Sequence, residues 1–140
     1  RLQNMGTPDY LISAAVSLIL AQRLARKTCP NCREPDPDIT PKALADFGFT
    51  VEQASRAKVQ RGKGCSECKD SGYKGRMGIY EILSVSKPLK EAILRKATTP
   101  ELKEIATNEG FRTMQDMGRE LILTGDLNFR EYDRVLSSEA

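Results

Sequence analysis

The sequence predicts a mainly α-helical chain with a small β element, in which a tetracysteine module is followed by a C-terminal helical bundle. Three observations carry this. All four cysteines of the 140 residues fall in two CxxC pairs, Cys29-Pro30-Asn31-Cys32 and Cys65-Ser66-Glu67-Cys68. From Ser86 onward, capping residues, apolar positions at helical spacing and glycine stops follow one another. Between these regions, Met77 to Val85 is rich in β-type residues and stands behind spaced glycines.

Thiols at i and i+3 across a tight turn both reach one metal ion. Two such pairs complete a tetrahedral shell of four thiolates, the closed geometry of structural zinc. Cys29, Cys32, Cys65 and Cys68 are therefore the expected zinc ligands. A closed shell leaves no coordination position for water, so the metal is expected to hold structure and not to do chemistry. Two disulfides would use the same residues but need an oxidising compartment, and nothing in the sequence reads as a secretory signal. A redox CxxC would use one pair and leave the other idle. The loop from Arg33 to Gly64 is longer than a zinc-ribbon spacing, which argues against a plain ribbon.

Along the chain, Thr7 and Pro8 read as the N-cap and first position of a helix from Pro8 to Lys27, about 30 Å long at 1.5 Å per residue. Its first half is apolar on nearly every face, as in a helix wrapped by protein. Arg23, Arg26 and Lys27 suit the negative end of such a helix. The apolar stretch Leu11 to Ala21 is too short for a bilayer, which takes about 20 residues. Pro35-Asp36-Pro37-Asp38 marks a turn. Thr40 then caps a helix from Pro41 to Phe47, ended by Gly48, and Thr50 caps another from Val51 to about Ala57. After the second cysteine pair, Gly72, Gly75 and Gly78 space a turn, and Met77 to Val85 forms a strand or short hairpin. Four amphipathic helices close the chain: Leu89 to Ala97, Glu101 to Asn108, Met114 to Thr124 capped by Thr113, and Phe129 to Ser137 capped by Asn128. The expected organisation is thus 1–28 as the last helix of a larger domain, 29–75 as the metal module with its helical insert, and 76–140 as strand plus helical subdomain.

Composition narrows the function. A charged fraction of 29% and an apolar fraction of 39% are those of a soluble globular chain, and a net charge of +3 does not by itself argue for nucleic acid. The absence of histidine excludes a histidine base, a histidine-held catalytic metal and a Ser–His–Asp triad within these residues. Neither GxxxxGK[ST] nor GxGxxG occurs, so no phosphate is cradled through those loops. The first residue is Arg1 rather than methionine, as expected of a segment cut from something longer.

Four stretches together resemble the C-terminal portion of the traffic ATPases of type II secretion and type IV pilus assembly. They are Asn4-Met5-Gly6 with Leu20-Ala21-Gln22-Arg23-Leu24-Ala25-Arg26-Lys27; Cys29-Pro30-Asn31-Cys32; Gly64-Cys65-Ser66-Glu67-Cys68 followed by Ser71-Gly72-Tyr73-Lys74-Gly75-Arg76-Met77-Gly78-Ile79-Tyr80-Glu81-Ile82-Leu83; and Glu109-Gly110-Phe111-Arg112-Thr113-Met114. The resemblance covers nearly the whole chain. It implies that 1–28 ends a RecA-like ATPase domain and that the Walker loops, ATP and Mg2+ belong to the parent upstream of Arg1. It implies a hexameric cytoplasmic motor, peripheral to the inner membrane, that docks on an inner-membrane platform protein. No nucleic acid is expected, and no catalytic or cofactor-binding residue lies in this segment. Retraction ATPases of the superfamily lack the tetracysteine, which favours the extension or secretion branch.

Two other readings stand beside this one. A stand-alone zinc module could contact nucleic acid or a protein client, since Arg26, Lys27, Arg33, Arg61, Lys63, Lys69, Lys74 and Arg76 surround the cysteines. Few aromatics alternate with these bases, as stacking on single strands would need. A thiol oxidoreductase would need a reactive thiol that a metal-bound pair does not offer. Arg23 and Arg76 read as a solvated helix end and a partner of Glu81, in preference to contacts with nucleotide or a neighbouring subunit.

Overall fold

The computed structural model describes residues 1–137. Its elements follow the order α1 (Asp9–Ala15), β1 (Leu18–Thr28), β2 (Arg33–Pro35), α2 (Pro41–Asp46), α3 (Val51–Arg56), β3 (Gln60–Gly62), β4 (Tyr73–Ser84), α4 (Lys87–Leu94), α5 (Thr99–Asn108), α6 (Met114–Thr124) and α7 (Phe129–Leu136), with a 3-10 turn at Ser66–Cys68. The described residues are mainly helical, with two two-stranded sheets among them, β1 with β4 and β2 with β3. Among the described residues, no helix is long and apolar enough to cross a membrane.

The expected helix from Pro8 to Lys27 does not form. It stops at Ala15, Val16 turns extended at φ −82° and ψ 116°, and after Ser17 the eleven residues Leu18–Thr28 are strand β1. Helix propensity is a weak preference that tertiary pairing overrides, and β4 supplies the ladder partner. The ends of the sheet show an antiparallel sense: the Val85 N–H donates to the Ser17 carbonyl at 2.9 Å, and the Cys29 N–H donates to the Gly72 carbonyl at 2.9 Å. From Leu20 to Arg26 burial alternates residue by residue, with Ala21, Arg23 and Ala25 on the more covered face. The residue types do not announce that alternation, since Leu20 and Leu24 fall on the open face and Arg23 on the covered one. The strand expected over Met77 to Val85 likewise starts earlier, at Tyr73, and its partner is β1 rather than a hairpin neighbour.

Spatially the chain divides into two compact units, each discontinuous in sequence. One joins Arg1–Ala21 to Glu81–Thr113; the other joins Gln22–Tyr80 to the chain from Met114 on. The expected single C-terminal bundle is therefore two helix pairs in different units, α4 with α5 and α6 with α7.

In the first unit α1 packs on α4, and α4 on α5. Val85, Leu89 and Ala106 are buried there, with Val16, Leu83, Ile93, Leu102, Ile105 and Phe111 packed around them. Local chemistry sets the helix starts. The Ser86 hydroxyl accepts from the Leu89 N–H at 3.3 Å, and Thr98 forms a capping box with Glu101. Leu11 is buried less than expected, and Leu18, Ile19 and Leu20 are exposed, each with about half its surface open.

In the second unit Ile79, Ile122, Leu127 and Leu136 are fully buried. Each contributes roughly 1.5–3 kcal/mol by leaving water. Helices α2 and α3 pack together, capped at Thr40 and by a Thr50–Gln53 box, as the sequence indicates. The sequence did not reveal β2 and β3. They pair antiparallel with Arg33 opposite Gly62 and Pro35 opposite Gln60, and so draw the two ends of the insert together.

Candidate metal centre

The four cysteines reach one point from three backbone features of the second unit. Cys29 directly follows β1, its N–H bonded to the Gly72 carbonyl. Cys32 stands one residue before β2, and its carbonyl accepts from the Lys63 N–H at 3.0 Å, in line with the β2–β3 pairing. Cys65 and Cys68 bracket the 3-10 turn, closed by the Asp70 N–H donating to the Cys65 carbonyl at 2.9 Å. Lys69 and Asp70 follow in the left-handed region, at φ 53° and 60°.

All four sulfurs lie within 4.8 Å of one another. Cys29 and Cys65 are 3.9 Å apart, Cys32 and Cys68 3.8 Å, and Cys65 and Cys68 3.7 Å. None is a disulfide, whose sulfurs stand about 2.0 Å apart. A tetrahedron with metal–sulfur bonds of about 2.3 Å has edges of about 3.8 Å. The sulfur spacing therefore fits a four-thiolate metal ion. Cys29 and Cys68 are buried and Cys32 and Cys65 half-buried.

Donors aim at the sulfurs. The Gly64 N–H reaches Cys32, the N–H groups of Cys65 and Gly72 reach Cys68, and the Asn31 amide reaches Cys65, each at 3.3 Å. Such bonds favour the thiolate, the form that binds metal. The Asn31 amide, working against burial, draws the Cys65 thiol down. Burial pushes Cys68 up, but the two backbone donors and the neighbouring thiols outweigh it and hold it at about 6. Cys32 goes the other way: burial carries it to about 12 against the pull of the Gly64 N–H. A bound cation removes that opposition, because a divalent charge deprotonates a coordinating thiol outright.

Two glycines make the approach of the cysteine-bearing segments possible. A Cβ on Gly62 would lie 2.0 Å from the Gly72 carbonyl oxygen, and one on Gly72 would lie 2.6 Å from the Gly62 carbonyl oxygen. The sequence marks Gly72 as a turn glycine, whereas nothing near Gly62 announces its role. Asn31 lies inside its CxxC pair and could have been noticed as a short amide donor.

Sequence reasoning also missed Glu131, on α7. Its side chain is fully buried, and it accepts from the Arg26 N–H at 2.9 Å, from the Arg26 guanidinium at 2.8 and 3.1 Å, and from Arg134. Burial alone would raise the carboxyl; the Arg134 and Arg26 donors reverse this and hold it down to about 2. Arg26 also lies over the Tyr73 ring, 4.0 Å from its centroid. Arg23 is not a solvated helix end: it stands half-buried on β1 and donates to the Val135 carbonyl at 2.7 Å. Arg76 is exposed on β4.

Four thiols gathered beside two two-stranded ribbons define a candidate metal centre. The chain belongs to the type II/IV secretion system protein family, whose model matches residues 1–134. Among its relatives, a type IV pilus assembly ATPase, PilB, of Myxococcus xanthus is 36% identical over 131 residues, covering 94% of this chain and 23% of that protein. PilB of Pseudomonas aeruginosa is 36% identical over 135 residues, covering 96% of this chain and 24% of that protein. A type II secretion system protein E of Klebsiella pneumoniae is 35% identical over 136 residues, covering 96% and 26%. The chain thus spans about a quarter of the length of these relatives.

Proposed function

We propose that this chain is the C-terminal, zinc-binding part of a hexameric motor ATPase that powers type IV pilus extension or type II protein secretion. One observation carries the metal assignment: four thiols within 4.8 Å of one another, spaced as a tetrahedral zinc site needs. Cys29, Cys32, Cys65 and Cys68 would hold the ion. When bound, zinc supplies a cross-link between the end of β1 and the turn before β4. The protein supplies the donors that favour the thiolates of Cys65 and Cys68 and the glycine contact that lets the two knuckles meet.

The role of this segment in the parent is architectural. It holds one end of the ATPase domain and presents a surface to neighbouring subunits or to the inner-membrane platform protein, on the cytoplasmic side. ATP and Mg2+ belong to the rest of the parent, and no nucleic acid enters this reading. The test has two arms. Elemental analysis of the purified chain is expected to find one zinc per chain, and substantially less than one equivalent would overturn the metal assignment. The same protein is expected to show no ATP turnover; metal-dependent hydrolysis would overturn the assignment of the nucleotide site to the parent.

A further inference from the structure

We infer that the segment from Asp126 to Glu131, the loop and first turn of α7, is a clamp that sets the separation of the two cysteine knuckles, with Glu131 as its positioning residue. The inference rests on the zinc reading above and concerns residues that touch no sulfur. The Asp126 carbonyl accepts from the Thr28 N–H at 3.0 Å, one residue before Cys29. Glu131 accepts from both the backbone and the side chain of Arg26, three residues before Cys29. On the other knuckle, Asn128 exchanges hydrogen bonds with the Tyr73 hydroxyl, its amide donating at 3.0 Å. Tyr73 follows Gly72, whose N–H donates to the Cys68 sulfur and whose carbonyl accepts from the Cys29 N–H.

One short segment therefore grips both strands just where they enter the site. It is itself held in shape, because Asn128 is the N-cap of α7 and accepts from the Glu131 N–H at 2.8 Å. The Arg26 guanidinium, stacked on Tyr73 and paired with Glu131, closes the circuit between the two strands. Glu131 is the member that water cannot replace: it is fully buried and takes donors from both arginines, whereas those arginines are about half exposed. Groups that orient metal ligands from behind typically change metal affinity by roughly 10–100-fold when removed.

The test is zinc transfer from the loaded 140-residue chain to a chromogenic pyridylazo chelator. Glu131→Gln is expected to release zinc roughly tenfold faster than the parent sequence. Tyr73→Phe, which deletes only the hydroxyl bond to Asn128, is expected to fall between. Ile122→Ala is the control: it empties core volume in the same unit and removes none of the hydrogen bonds of the clamp, so it is expected to lower the melting temperature while leaving the release rate within about twofold. A metal-free readout accompanies this. After zinc removal, exchange of the Cys29 amide hydrogen is expected to be faster in Glu131→Gln than in Ile122→Ala. If the parent chain binds no zinc, the zinc reading fails. If it binds zinc and Glu131→Gln releases it at the parental rate, or Ile122→Ala releases it as fast as Glu131→Gln, the clamp is wrong and the zinc reading stands. If Glu131→Gln does not fold, Tyr73→Phe decides: a rate equal to the parent overturns the clamp.

Discussion

At the scale of single residues, the sharpest constraints sit where no side chain is tolerated or where a charge is hidden. The contact of Gly62 with Gly72 admits no Cβ, because the neighbouring atoms are backbone that cannot swing away. Gly62→Ala is therefore expected to cost about 3 kcal/mol or more. It should also lower the zinc content, since the pair holds the knuckles together; thermal melting with zinc analysis checks both. Glu131 makes a pH prediction. Its carboxyl is held from an ordinary 4.5 down to about 2. A depressed folded-state value means stability that is fully present above the unfolded value and lost as pH falls toward the folded one. The gain is on the order of 3 kcal/mol. Urea midpoints measured between pH 6 and pH 2 are expected to fall more steeply for the parent than for Glu131→Gln. Parallel curves would remove the ion pair from the stability of the fold.

At the scale of elements, two small changes are each expected to destabilise, one by losing a cap and the other by overpacking. Thr98 closes the start of α5 by a capping box, its N–H bonded to the Glu101 carboxylate at 2.6 Å. Thr98→Ala should cost about 1 kcal/mol. Gly118, in the middle of α6, looks from sequence like a place where alanine would help, by about 1 kcal/mol of helix propensity. Its Cβ would however lie 2.5 Å from Leu136 Cδ1 and 2.7 Å from the Tyr132 ring on α7. Overpacking of this kind costs about 1–3 kcal/mol, so Gly118→Ala is expected to be net destabilising by about 1 kcal/mol. A raised melting temperature for Gly118→Ala would show that α7 moves aside freely.

At the scale of the whole molecule, the two discontinuous units set how damage spreads. Structural zinc contributes on the order of 10 kcal/mol to the folding of its site. Cys65→Ser, or removal of zinc with a chelator, is expected to loosen the unit that holds the cysteines. Hydrogen exchange should rise from Cys29 to Gly75, and in α6 and α7, which belong to the same unit. Helices α4 and α5 belong to the other and should keep their protection. The order matters: if all four C-terminal helices lose or keep protection together, the division into these units is not the one that governs stability.

The sequence by itself determined what is local. The caps at Thr40, Thr50, Ser86 and Asn128 and the glycine after α2 were legible, because each rests on chemistry within four residues. The membership of the four-thiol cluster was legible too, because a CxxC turn brings its own two sulfurs together and only the pairing of the two turns is long-range. The tertiary structure alone decided the rest. Leu18 to Thr28 is strand because β4, more than forty residues away in sequence, offers a ladder that no helix-length pattern can announce. Gly62 meets Gly72, and Glu131 meets Arg26, for the same reason: a residue's partner across the fold leaves no mark at its own position. The C-terminal helices each carry a local signature, but which unit they join is set by the surfaces that bury their apolar faces, and those are assembled only when distant strands pair.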